Sequence, residues 1–129
     1  MLALVAERVS FLDRPVVWRS TGAPAFVNAA WLDGAWWVLR LNGFPDHPLF
    51  TLFVDGVVAG DVQDIKTRAP AWDLDLTGLR PLTAAQRDEV LTSMRGLGPY
   101  GSEIGQPCDG DWCPCARLTD EYVREGTTR

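Results

Sequence analysis

Two Asp-Gly dipeptides constrain this chain more than any other feature. In "AFVNAAWLDGAWWVLRLN" Asp33-Gly34 separates two apolar-rich runs, and in "LFTLFVDGVVAGDV" Asp55-Gly56 does the same. A type I′ turn needs positive φ at both central residues, which Asp tolerates and Gly adopts freely, so each stretch predicts a two-residue β-hairpin. Counting outward from the first turn places Trp31 opposite Trp36, Ala30 opposite Trp37 and Asn28 opposite Leu39. The second turn places Val54 opposite Val57, Phe53 opposite Val58 and Leu52 opposite Ala59. Neither face of the resulting ladders is purely polar. The two hairpins are therefore expected to join in one antiparallel meander that needs cover on both sides, or a partner on one.

The remaining elements are read from caps and breakers. "ERVSFL" and "PVVWRS" are weaker strand candidates, the second beginning at Pro15, whose missing N–H suits a strand start or an edge. In "PLTAAQRDEVLTSMRGLG", Thr83 followed by Gln86 forms a capping box, and Val90, Leu91, Met94 and Leu97 recur on one side of a helix that Gly96 or Gly98 would end. The polar run Gln86, Arg87, Asp88 and Glu89 reads as solvated helix surface. "TRAPAWDLDLTGLRP" reads as an ordered connection pinned by Trp72. The expectation is a single α+β domain over residues 1–129: an antiparallel sheet over about 1–65, a connection over 66–82, a helix over about 83–96 and an irregular cysteine-bearing tail over 97–129.

Composition narrows the function classes. The chain has 129 residues, 47% apolar and 22% charged, enough to bury one core. Its formal charge is −5. An acidic chain is a poor sequence-tolerant nucleic-acid binder, which needs clustered cations to displace counterions, and it would instead attract a basic partner. The apolar run that opens "MLALVAERVS" is broken by Glu7 and Arg8 after six residues, too short for a signal-peptide core or a membrane span. A cytoplasmic protein with reduced thiols is expected.

All three cysteines lie in "CDGDWCPC". Cys108, Cys113 and Cys115 make one irregular knuckle, whereas zinc sites usually take their ligands from two; His47, the sole histidine, would be the fourth ligand, with Asp109 and Asp111 as nearer alternatives. The competing readings are reactive thiols and small apolar side chains packed around Trp112. His47 is also the only histidine available as a catalytic base, but no second member of a catalytic set accompanies it, and Pro45 and Pro48 account for a stiff loop without chemistry. Asp55, Asp61, Asp64, Asp73 and Asp75 offer paired carboxylates only if the fold gathers them. No phosphate-cradling loop is present.

Six tryptophans are more informative, and Trp18, Trp31, Trp36 and Trp37 fall in or near the expected sheet. Most should be core. The alternative is that Trp31 and Trp36, beside a hairpin tip, anchor a partner, with Asp33, Asp55, Asp61 and Asp64 supplying charge around them. The segment "WWVLRLNGFPDHPLFTLFVDG", followed by a helix and an irregular tail, resembles the small acidic immunity proteins that bacteria keep against polymorphic or contact-dependent toxins. That family has no shared motif, so the resemblance transfers no residue. It implies stoichiometric occlusion of the active site or nucleic-acid groove of a basic protein toxin domain, by shape and charge complementarity and with no catalytic group. The acidic charge and the short apolar run leave neither nucleic acid nor membrane as an expected partner. A zinc-type metal protein using the cysteine cluster and a small enzyme using His47 stand as the other readings.

Overall fold

A computed structural model describes residues 11–42, 48–97 and 102. Its centre is a five-stranded antiparallel sheet of β2 (Arg19–Ser20), β3 (Phe26–Leu32), β4 (Ala35–Leu41), β5 (Phe50–Val54) and β6 (Val57–Val62), arranged in chain order. The protein is thus α+β, with the expected meander. Both hairpins turn through Asp-Gly: Asp33 and Gly34 have φ of 54° and 78°, as do Asp55 and Gly56, the positive pair that a type I′ turn requires. These turns set the ladder. Trp31 pairs with Trp36, Ala30 with Trp37 and Asn28 with Leu39, as counted from the sequence.

The second hairpin departs from simple counting after two pairs. Val54 faces Val57 and Phe53 faces Val58, but Leu52 faces Gly60 instead of Ala59. A bulge places Ala59 and Gly60 together against one residue of β5. One inserted residue in a strand flips the facing of everything beyond it, so the bulge returns Val62 to the core and Asp61 to the face shared with Thr51. It also breaks the row of backbone groups along the exposed edge, a common protection against stray strand pairing.

Both faces of the sheet are covered. On one lies α2 (Ala84–Ser93), and Phe26, Ala29, Val38 and Phe53 from the strands pack with Leu82, Val90, Leu91 and Met94. Helix α2 starts as the sequence specifies: Thr83 Oγ1 accepts from the Gln86 N–H at 3.1 Å, and the Thr83 N–H donates to Gln86 Oε1 at 3.0 Å. Gly96, at φ 89°, follows the last turn. Leu97 packs against this cluster from beyond the helix.

The opposite face is covered by non-adjacent pieces of chain. A two-stranded parallel sheet pairs β1 (Val16–Val17) with β7 (Trp72–Asp73), and α1 (Ile65–Arg68) leads into it. Val16, Trp18, Ala69 and Trp72 from this layer pack on Ala30, Trp37, Leu39, Phe50, Leu52 and Val62 of the main sheet. The "PVVWRS" strand therefore divides at Trp18: Val16 and Val17 belong to the covering layer, while Arg19 and Ser20 begin the main sheet. Trp18 is fully buried, edge-to-face on Trp72 at 5.1 Å, and its Nε1 finds no acceptor among the described residues.

The expectation of a strand in "ERVSFL" is corrected where it can be seen. Residues 7–10 lie outside the described residues, and residues 11–13 are helical. Phe11 sets its ring edge-on to Trp37 at 5.3 Å, and its carbonyl accepts from Trp72 Nε1 at 3.3 Å. Phe11 thus acts as a lid on an apolar face, a position that a strand in the sheet plane could not take. Residues 66–82 contain β7 and most of α1, with Trp72 buried among them.

Candidate functional site

Because β3 to β6 form a meander with tight turns, both Asp-Gly turns lie at one end of the sheet. The Asp55 N–H donates to the Trp36 carbonyl at 3.0 Å and ties the two turns together. Trp31, Asp33, Trp36 and Asp55 are thereby gathered. Trp31 is 57% exposed although it lies in a strand, and it stands outside the cluster that packs with α2. Its ring meets Trp36 edge-to-face, with centroids 5.2 Å apart and planes at 73°. Trp36 is half-buried against the α2-side cluster, and its Nε1 donates to Glu89 Oε1 at 3.0 Å. That bond fixes the ring. Glu89, part of the polar run that the sequence assigns to helix surface, stands one turn before Ser93, whose carbonyl lies beside Gly56 of the second turn, and this side of the helix gives it the contact.

On the opposite face of the same hairpin tip, Arg14 bonds Asp33 and places its guanidinium 5.7 Å from the Trp37 ring centroid. The hydrogen bond with Arg14, aided by its charge, holds the Asp33 carboxyl below the ordinary aspartate value. The same bond raises the Arg14 guanidinium. Asp33 is therefore partly neutralised, and the exposed carboxylates left at this end are Asp55 and Glu89.

Asp61 and Asp64 are elsewhere. From Val57 to Asp61 the strand runs about 13 Å away from the turns. Asp61 accepts from the Thr51 hydroxyl at 2.8 Å, and Asp64 caps α1 by accepting from the Thr67 N–H at 3.2 Å. With Leu12, Gln63 and Arg68 they border an open cleft of about 500 Å³. The six residues singled out as partner-binding thus fall into two groups at opposite ends of β6.

A buried polar network lies at the end away from the turns, where Arg40 pairs with Thr51 and Thr51 with Asp61. Arg40 is 1% exposed, on the α2 side of β4. Its Nε donates to Asn42 Oδ1 at 2.8 Å, its Nη2 donates to Thr51 Oγ1 at 3.1 Å, and its guanidinium lies 5.2 Å from the Phe53 ring centroid. Asn42 Nδ2 donates to both Thr51 Oγ1, at 2.9 Å, and the Pro48 carbonyl, at 2.9 Å. The Thr51 hydroxyl accepts twice and donates once, to Asp61, so its capacity is filled. One signal was available in the sequence: alternation puts Arg40 on the same face as Val38, toward the helix.

A second local device holds the loop before α2. Asp75 Oδ1 accepts from the Leu79 N–H at 2.9 Å, and Oδ2 accepts from the Arg80 N–H at 2.8 Å and the Ser20 hydroxyl at 2.8 Å. Burial pushes this carboxyl up, but the three hydrogen bonds and the Arg80 charge more than offset it and leave it below the ordinary value. The clamped loop presents Leu76, 88% exposed, and Leu79, 80% exposed. Asp73 is paired with Arg80 at 3.3 Å. The five acids that could have offered paired carboxylates are thus separated: Asp64 is a helix cap, Asp75 a loop clamp, Asp73 a surface partner of Arg80 and Asp61 an acceptor for Thr51, while Asp55 is exposed at the turns.

Cys108, Cys113, Cys115 and His47 all lie outside the described residues, and so do Asp109, Asp111 and Trp112. Among the described residues no group of three or more His, Cys, Asp or Glu side chains could hold a metal ion. No helix among them is long and apolar enough to cross a membrane. Comparison with protein-family models, with curated proteins and with solved structures found no match for this chain.

Proposed function

We propose that this protein is a cytoplasmic protein-binding inhibitor of the immunity type, which neutralises a cognate bacterial toxin by covering its active site or substrate groove. The observation that carries the reading is the turn end of the sheet, where an exposed tryptophan is braced by a second, hydrogen-bonded one and bordered by carboxylates. A rigid aromatic anchor loses little conformational entropy on binding, and tryptophan is enriched among the residues that dominate interface energies. The surrounding acids steer a basic surface toward it and reject an acidic one. Such a surface acts by complementarity and requires no bond to be made or broken.

Co-expression with the product of the adjacent gene tests this, because immunity proteins are encoded beside the toxins they block. The expected result is a stable complex by size exclusion and restored growth of toxin-expressing cells. Trp31→Ala should weaken the complex by about 30-fold or more, the scale of a hot-spot residue. Absence of a complex with that product and with any basic toxin domain overturns the proposal.

A further inference from the structure

The two faces of the first hairpin tip carry the same chemical elements, but among the described residues only one face is filled. On the covering-layer side, an arginine of the chain itself, Arg14, lies over Trp37 and bonds the carboxylate of Asp33. On the α2 side, Trp31 and Trp36 present an exposed indole and a fixed one, and the carboxylate is Glu89. One oxygen of Glu89 takes the Trp36 N–H, and the other has no partner among the described residues. No cation stands over Trp31 or Trp36 among the described residues.

We infer that the Trp31–Trp36–Glu89 shelf is a seat for an arginine side chain of the partner, with the guanidinium stacked on Trp31 and donating to the second oxygen of Glu89. This rests on the inhibitor reading above and names the side chain that the surface takes. Three observations support arginine. Indole is the strongest of the aromatic faces for a cation. The edge-to-face contact with Trp36 holds the Trp31 ring in place, so its open face is already organised for a planar group. Guanidinium is planar and more weakly hydrated than ammonium, and it loses less on leaving water for such a shelf than lysine does. The Arg14 site demonstrates, within the same hairpin, that this combination of indole and carboxylate holds a guanidinium.

The test uses the full chain with ¹⁵N-labelled indoles and N-acetyl-arginine amide as the probe. Titration should move the Trp31 and Trp36 indole N–H signals along one saturating curve in the millimolar range, while the buried Trp18 signal stays in place. N-acetyl-citrulline amide, nearly the same shape without the charge, should bind at least about fivefold more weakly, and N-acetyl-lysine amide about threefold more weakly. Trp31→Leu should abolish the response, Trp31→Phe should keep part of it, and Glu89→Gln should weaken it about threefold or more. Equal binding of citrulline, or an unchanged response in Trp31→Leu, overturns the seat. Failure here is distinguishable from failure of the inhibitor reading. A toxin complex indifferent to Trp31→Leu removes the seat and leaves inhibition standing, whereas arginine binding without any toxin complex keeps the seat and removes inhibition.

Discussion

Replacing Thr51 by valine deletes one oxygen and nearly preserves volume, at a position with no solvent exposure. That oxygen is the centre of the buried network, accepting from Arg40 and Asn42 and donating to Asp61. Asp61 is exposed and can turn to water. Arg40 and Asn42 are 1% and 3% exposed, so their freed N–H groups cannot. A buried donor left without an acceptor costs about 1–3 kcal/mol, and a valine methyl recovers part of that through burial. The net expectation is a loss of about 2–4 kcal/mol. Thr51→Ser is the control, because it keeps the hydroxyl and loses one buried methyl, for about 1 kcal/mol. Urea unfolding followed by tryptophan fluorescence separates them: with a slope of about 1.5 kcal/mol/M, the valine variant should unfold about 2 M earlier than the parent, and the serine variant less than 1 M earlier. The network argument fails if the valine variant is as stable as the serine variant at unchanged slope.

Two further outcomes follow from local geometry. Gly34→Ala should cost about 1–2 kcal/mol, because φ is 78° and no atom lies near enough to a new Cβ to add a clash or a contact; Gly34→Asn, which tolerates that φ, should cost less by thermal unfolding. Asp75 has a folded pKa below its unfolded value of about 3.9, so its contribution to stability is fully present above that value and is lost as pH falls through the lower folded value. Urea midpoints across the acid range should therefore show the parent and Asp75→Asn clearly apart at neutral pH and converging below about pH 4; a constant gap contradicts the clamp.

Much of the sheet was legible because its information is local. At Asp33-Gly34 and Asp55-Gly56 the backbone sterics of two residues select the turn, and the turn then dictates partners by counting. The Thr83–Gln86 cap is equally short-ranged. Counting failed at Ala59, where a bulge is favoured because it returns Val62 to the core, a condition invisible from the hairpin alone. The strand reading of "PVVWRS" could not foresee its division at Trp18, which depends on Trp72, more than fifty positions later. Likewise, "ERVSFL" alternates well enough for a strand, yet Phe11 is drawn out of that role by the open face of Trp37.

The candidate site divides along the same line. From the sequence alone came the pair Trp31 and Trp36, its place beside a hairpin tip, and the acidic character of the chain. Only the tertiary structure decided that Asp33 is claimed by Arg14, that Asp61 and Asp64 lie at the far end of β6, and that Glu89 braces Trp36. It also decided that Arg40, Asn42 and Thr51 would share a buried network. The physical reason is range. Turn and cap conformations are settled by atoms a few bonds apart, whereas the worth of a charge or a ring depends on which surface the folded chain lays against it.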